Sequence, residues 1–200
     1  MGSPESAART RELMRIFLGV FPPAAVQRAV HAAAEALKRP GDGVSWVKRE
    51  NLHYTLRFMG DLGASGLRRV SEAADEAAKT GAAFEAALGA LGAFPNARRA
   101  RVLWAGMTNG AERLTALARA LELALARKGF EAADHPFSAH LTIGRVREPR
   151  ADWTERLAAA RVEPATRFTV DRLCVVESRL SPGGSAYTVL HEAPLAPAGP

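Results

Sequence analysis

The sequence predicts an α+β fold: two antiparallel lobes, related by a rough internal repeat, that make one bilobal unit. Three observations point there. The first is a short stretch that occurs twice, as Asn51-Leu52-His53-Tyr54-Thr55-Leu56-Arg57-Phe58 and as Ser138-Ala139-His140-Leu141-Thr142-Ile143. Both copies read apolar-His-apolar-Thr-apolar, the alternation of a half-buried strand. The second is the order of elements. Strand, helix, strand, strand, helix is followed by a comparable set, which is not the strict βαβα alternation of a doubly wound sheet. The third is that no low-complexity region or long linker divides the halves of this 200-residue chain. That length is enough for one sizeable core.

Taken in order, residues 1–12 read as a flexible N-terminal end, 13–195 as the single bilobal domain, and 196–200 as a loose tail. The apolar run from Met14 to Phe21 predicts a strand, stopped by Pro22-Pro23. Proline is tolerated in a first helical turn, and the Ala- and Leu-rich stretch from Ala24 to Arg39 predicts a helix. Pro40-Gly41-Asp42-Gly43 is a turn signal, followed by a short strand from Val44 to Lys48 and the first histidine strand, ending near Gly60. A helix is expected from Ser65 to Lys79, an apolar strand region from Phe84 to Phe94, a basic loop at Pro95–Arg99 and a strand from Val102 to Met107. Asn109-Gly110 opens the longest helix, which stops at Gly129. Leu114, Leu117, Leu121 and Leu125 stripe it as a core face. The second histidine strand ends near Arg147. A helix from Asp152 to Arg161, a strand from Thr166 to Ser178, and a Ser181-Pro182-Gly183-Gly184 hairpin into a strand from Ser185 to Ala193 complete the chain.

Composition narrows the function only a little. The chain is 48% apolar and 24% charged, ordinary for a globular protein. Its 27 basic against 21 acidic residues give a net charge of +6. Four of the 27 basic residues are lysine and the other 23 arginine. Arginine matches phosphate as a bidentate fork, so the balance favours a polyanion such as nucleic acid; a genome-wide preference for Arg and Ala codons would give the same count. Cys174 is the single cysteine. No intrachain disulfide can form, which fits a cytoplasmic location. Residues Ile16 to Phe21 are too few for a membrane span, and no secretory signal is evident.

The histidine strands carry the chemistry. Side chains two apart on a strand share a face. His53, Thr55 and Arg57 are therefore expected to point one way, with Tyr54, Leu56 and Phe58 behind them. His140 and Thr142 likewise share a face, backed by Leu141 and Ile143. Two imidazoles at one site suit paired acid–base catalysis: one takes a proton from water, the other gives one to a leaving oxygen. A threonine hydroxyl beside each can hydrogen-bond a phosphate oxygen. Other readings have less to stand on. Each His-x-Thr offers one metal ligand, and there is no HExxH or CxxC pair. There is no GxSxG, P-loop or GxGxxG, and Cys174 sits in an apolar run. The bland reading is two strand histidines hydrogen-bonded in place.

These residues are familiar as a set. The doubled His-x-Thr motif resembles the two-histidine (2H) phosphoesterase superfamily. The flanks Trp46–Gly60, Leu91–Pro95, Val102-Leu103-Trp104, Pro136–Thr142 and Glu177–Gly184 resemble its RNA 2′,3′-cyclic phosphodiesterases, the LigT-like or 2′-5′ RNA ligase proteins. The resemblance runs from about Met14 to Leu195. It implies two antiparallel sheets lining a central cleft, with helices outside. It also implies hydrolysis of RNA 2′,3′-cyclic phosphate ends to 2′-phosphates, without metal or other cofactor. His53 would be the proton donor and His140 the proton acceptor, with Thr55 and Thr142 on the phosphate oxygens; sequence chemistry alone does not assign acid and base. The family also joins tRNA half-molecules through a 2′-5′ bond, so tRNA fragments are a possible partner. A monomer with no membrane partner is expected. Arg57, on the cleft face by parity, is a candidate phosphate contact. Arg145 falls on the wrong face unless a bulge at Gly144 redirects it. Tyr187, Phe17 and Trp46 are candidates for base stacking or core. Two alternatives stand: a same-fold phosphoesterase acting on a small cyclic nucleotide or a 2′-5′ oligonucleotide, and a non-catalytic RNA-end binder.

Overall fold

The structure is a computed structural model describing residues 13–148, 151–160, 162, 166–182 and 184–198. The N-terminal end 1–12, Arg161 of the expected helix, Gly183 of the expected hairpin and the last two tail residues lie outside the described residues.

The first strand, β1 (Met14–Val20), buries Ile16, Leu18 and Val20 on one face and Phe17 on the other. Burial on both faces explains its unbroken apolar run. The helix α1 (Ala24–Leu37) follows the two prolines and buries Val26, Val30, Ala33, Ala34 and Leu37, the spacing of one helical face. Next come β2 (Val44–Trp46), a 3-10 turn at Arg49–Asn51, β3 (Tyr54–Leu62) and α2 (Ala64–Ala78). The second half runs β4 (Phe84–Phe94), β5 (Val102–Asn109), α3 (Ala111–Arg127), β6 (Leu141–Val146) and α4 (Thr154–Ala159), then β7 (Arg167–Val170), β8 (Arg172–Ser181) and β9 (Gly184–Pro194). The stop expected at the end of α3 is a Schellman cap. Gly129 has φ 79°, its N–H donates to the Ala126 carbonyl, and Phe130 N–H donates to that of Leu125.

The strand order is β7-β4-β5-β6-β3-β1-β8-β9, with β2 beside β6, and the pairs between these strands are antiparallel. One lobe holds β3, β1, β8 and β9; the other holds β6, β5, β4 and β7. The two expected sheets meet as one curled sheet through a single pair, Tyr54 opposite Leu141. The main core, including Val30, Ala73 and Leu121 from the helices and Ile16, Leu103 and Ile143 from the strands, fills one side of the sheet. The other side carries a smaller cluster of Phe17, Cys174 and Val176, packed by Phe21 and Tyr187, and forms the cleft.

The chain departs from expectation at one strand. The run Thr166–Ser178 is two strands in different lobes: β7 pairs with β4, and β8 with β1. Alternation changes phase at the break. Phe168 and Val170 face the main core at even positions, then Leu173 and Val175 at odd ones while Cys174 and Val176 face the other side, and Asp171 marks the crossing. The helix expected at Asp152–Arg161 is shorter, Thr154–Ala159.

Candidate active site

The pair that joins the lobes follows directly on the two histidines. Tyr54 and Leu141 are fully buried on the core side. Their neighbours His53, Thr55, His140 and Thr142 therefore face the cleft. The antiparallel register of this pair sets His53 in line with Thr142 and Thr55 in line with His140. The doubled motif is thus one site, built across the seam of the sheet.

Both imidazoles are held alike. His53 Nδ1 lies 2.7 Å from the Asn51 carbonyl oxygen, and His140 Nδ1 lies 2.8 Å from that of Ser138. A carbonyl only accepts, so each Nδ1 is the donor and each neutral ring leaves Nε2 as its basic nitrogen. His53 Nε2 lies 2.8 Å from Thr55 Oγ1, where the hydroxyl donates to the neutral ring. Asn51 is buried and donates from Nδ2 to the Ser185 carbonyl at 2.7 Å, tying the histidine loop to β9. β1 comes close beneath. A Cβ on Gly19 would stand 2.7 Å from the Tyr54 carbonyl oxygen and 3.3 Å from His53 Cδ2, so only glycine fits there.

A bulge in each histidine strand decides which later residues reach the cleft. Opposite β1 the register shifts between Leu18 and Gly19, leaving Leu56 without a partner. Beyond it Arg57 stands opposite Leu18 and Phe58 opposite Phe17. The faces have exchanged. Arg57 points to the core side, where its guanidinium donates to Glu122 at 3.0 and 3.2 Å and to the Glu131 carbonyl at 2.7 Å. The bulge, which alternation does not reveal, thus turns Arg57 off the face expected for it and occupies its guanidinium with Glu122 and the Glu131 carbonyl, although Arg57 still lines the pocket beside Thr55 and His140. Phe58 takes the cleft face instead, 49% exposed, with the Arg15 guanidinium 4.9 Å from its ring centre. On β6 the matching shift leaves Ile143 without a partner on β5. Arg145 thereby turns to the cleft, near enough to disfavour positive charge on both histidines. Gly144 permits this: a Cβ there would lie 2.8 Å from Val44 Cγ1.

The two histidines differ in surroundings. His53 packs against Phe17 at 4.6 Å, Phe21 at 5.2 Å and Tyr187 at 5.3 Å between ring centres. Burial against these rings, opposed by the Asn51 carbonyl, pushes His53 down to about 4, with Arg145 and His140 adding to the effect. His140 meets the edge of Phe94 at 5.1 Å and is lowered chiefly by burial. Both rings are therefore neutral at pH 7 in the free protein. A pocket of about 350 Å³ opens from the seam toward residues 132–138, lined by Thr55, Phe58, His135, Phe137 and His140 among others. Of the other sequence candidates, Phe17 and Tyr187 brace His53, whereas Trp46 packs on Trp153 at 6.2 Å. His191 bonds Asp75, and His31 lies by Glu35. No group of three or more His, Cys, Asp or Glu side chains placed to hold a metal occurs among the described residues, and no described helix is long and apolar enough to cross a membrane.

A profile of the 2′-5′ RNA ligase superfamily matches residues 21–181. The chain belongs to this superfamily. Curated relatives agree. The RNA 2′,3′-cyclic phosphodiesterase of Methanothermobacter thermautotrophicus is 32% identical over 88% of this chain and 95% of its own length. That of Archaeoglobus fulgidus is 33% identical over 87% and 96%. Among solved structures, TT0787 of Thermus thermophilus covers 93% of this chain and 100% of its own at TM-score 0.75 and 30% identity. LigT of E. coli complexed with 3′-AMP covers 92% and 99% at TM-score 0.71 and 26% identity. The superfamily fold is thus present over nearly the whole chain, including both lobes that meet at the histidine seam.

Proposed function

We propose that the protein is an RNA 2′,3′-cyclic phosphodiesterase that opens the cyclic end to a 2′-phosphate by acid–base catalysis between His53 and His140. The observation that carries this is the matched pair of imidazoles at one seam, each with Nδ1 tied to a carbonyl and Nε2 left for chemistry. Sequence relatives of the same name support the substrate class.

In this reading the cyclic phosphate lies across the seam. His140 Nε2 takes a proton from water as the water oxygen bonds to phosphorus. The bond from phosphorus to O3′ breaks, and His53 Nε2 gives its proton to O3′, leaving a 2′-phosphate. Thr55, Thr142 and Arg145 hold the non-bridging oxygens, where charge builds. Each acid–base role contributes about 10²–10⁴-fold. The free protein holds His53 neutral, so its donor role relies on the phosphate anion to raise its proton affinity. Phe58 offers a face to the terminal base. Metal independence is part of the reading and rests on the two histidines alone filling the proton-transfer roles. The reading further includes a monomer working as one unit over 13–195, a cytoplasmic setting in keeping with one buried thiol at Cys174, tRNA fragments among the RNA ends met, and formation of 2′-5′ linkages in the reverse direction.

The test incubates a short RNA bearing a 2′,3′-cyclic phosphate with the protein in EDTA and identifies the product end group. A 2′-phosphate, lost in His53→Ala and His140→Ala, is expected. No turnover on any cyclic phosphate overturns the reading, and tight binding without turnover would leave an RNA-end binder in its place.

A further inference from the structure

Beyond Arg145 the cleft-side edge of the second lobe carries a second set of cationic and hydrogen-bonding groups that the reaction does not use. Ser45 of β2 stands opposite Arg145 of β6. Arg147, two residues on from Arg145, donates from Nε to Ser45 Oγ at 2.6 Å. Arg39 comes up from the end of α1, and together with the 41–46 segment these groups line a pocket of about 410 Å³. Neither the Arg39 nor the Arg147 guanidinium is ion-paired to a described carboxylate. The one acid lining the pocket, Asp42, is matched chiefly by Arg156, which donates to its two oxygens at 2.8 and 2.6 Å; the Arg39 backbone N–H donates to it at 2.7 Å, and the hydrogen bonds and charges of Arg156 and Arg39 together hold its pKa down. The strand edge adds donors. Val47 N–H donates to the Ile143 carbonyl and Arg147 N–H to that of Gly43. Residues 43, 45 and 47 thus bond β6, and the amides of Val44 and Trp46 point to the outer edge, where no described strand pairs.

We propose that Arg147, Ser45 and Arg39 form a phosphate subsite that takes an internucleotide phosphate of the RNA, 5′ to the reacting end. The proposal rests on the cyclic phosphodiesterase reading. Residues two apart on a strand are about 7 Å apart, so a group held by Arg147 lies one short step from a phosphate held by Arg145. The phosphates that accompany a reacting cyclic end at a short, fixed spacing are those of its own backbone. Two guanidiniums, a hydroxyl and an unpaired strand edge suit such an oxyanion without reading the base. The subsite gives the enzyme a grip on oligonucleotides that a mononucleoside cyclic phosphate cannot use.

The experiment compares wild type with Arg147→Ala, Arg39→Ala and Arg147→Lys on two substrates: a short RNA with a 2′,3′-cyclic phosphate and a mononucleoside 2′,3′-cyclic phosphate. Each alanine variant is expected to raise KM for the RNA roughly three- to tenfold and leave the mononucleotide unchanged. Arg147→Lys should recover part of the loss, and the slope of log kcat/KM against log salt for RNA should fall by about 0.7 per lost contact. Equal losses on both substrates, or none on RNA, overturn the proposal. If wild type turns over neither substrate, the catalytic reading has failed instead. The subsite is then judged by titrating RNA with a 2′-phosphate end: equal affinity for wild type and Arg147→Ala overturns it. Inorganic phosphate is titrated in parallel; Arg147-dependent phosphate binding with no effect of Arg147 on RNA identifies a free-anion site and also overturns it.

Discussion

Phe58 and Arg145 occupy the same place in two copies of one strand device. Each stands five residues after its histidine, His53 or His140, and each reaches the cleft because a bulge follows the motif threonine. The two lobes thereby place unlike groups at equivalent points, an aromatic face on one side and a guanidinium on the other. A nucleotide has one end of each kind. Arg145→Ala is expected to lower kcat about 10²–10³-fold, because it removes donors aimed at developing negative charge. Phe58→Ala is expected to raise KM for RNA by roughly tenfold, the effect of losing a base–aromatic contact, with kcat nearly unchanged. Steady-state kinetics on the cyclic-ended RNA separate the two. Equal kcat losses for both variants would count against this division of labour.

The aromatic cage around His53 makes stability depend on pH. The folded pKa of about 4 lies below the unfolded value of 6.5, so between those values the unfolded chain binds a proton that the folded one refuses. The stability tied to the neutral ring is full above pH 6.5 and drains away as pH falls toward 4. The shift corresponds to a loss on the order of 3 kcal/mol. His53→Phe keeps a ring among Phe17, Phe21 and Tyr187 and removes the titration. Urea midpoints at pH 7 and pH 4.5 should show a large drop in wild type and a smaller one in the variant. The same drop in both would place the acid sensitivity elsewhere.

The same depressed values set the pH dependence of the reaction. In the free protein the productive form needs one imidazole charged and the other neutral. With both rings below their ordinary value, kcat/KM should peak on the acid side of pH 6.5. Once the phosphate anion is bound, the histidines should gain proton affinity and the kcat profile should shift upward. A pH profile does not say which ring gives the proton, since exchanging the roles leaves the same two limbs. A phosphodiester with a 4-nitrophenolate leaving group does, because that group needs no proton. His53→Ala should retain most activity on it while His140→Ala loses activity. The reverse pattern would exchange the assigned roles.

How far the sequence could carry this reading depended on bulges and chain crossings. The His-x-Thr pairs were legible because four residues of alternation suffice to put His53 with Thr55 and His140 with Thr142 on one face. The helices were legible from their apolar spacing and their stops, as at Gly129. Parity holds up to the motif threonines and is lost past the next residue, Leu56 or Ile143, which exchanges the faces of Arg57 and Arg145, because a bulge is set by cross-strand pairing and leaves little local signature. Gly144 was the one hint, the side-chain-free residue that lets β2 pack against β6. The split of the Thr166–Ser178 run escaped because both pieces are apolar; the phase change between Val170 and Leu173 was its signal. The bracing of His53 by Tyr187, from the far end of the chain, has no local trace at all.

Arg57 would respond differently to substitution as a strut of the pocket wall than as a ligand of the phosphate. Its side chain is 12% exposed and bonded to Glu122, whose carboxylate also accepts from the Ala133 N–H at 3.2 Å. With its further bond to the Glu131 carbonyl, Arg57 ties the segment leading to His140 onto α3 and β3. Removing one partner of such a pair leaves the other charge poorly matched. Arg57→Ala should therefore cost about 1–3 kcal/mol of stability. It should also raise KM for RNA by loosening the wall of the pocket that Thr55 and His140 share. The pH dependence of kcat should stay as in wild type, and Glu122→Gln should reproduce part of both effects. A phosphate contact would behave otherwise: Arg57→Ala would leave the urea midpoint alone, reduce the salt dependence of kcat/KM, and be indifferent to Glu122. Unfolding and salt-dependent kinetics on the two variants decide between a strut and a ligand, and the hydrogen bonds to Glu122 favour the strut.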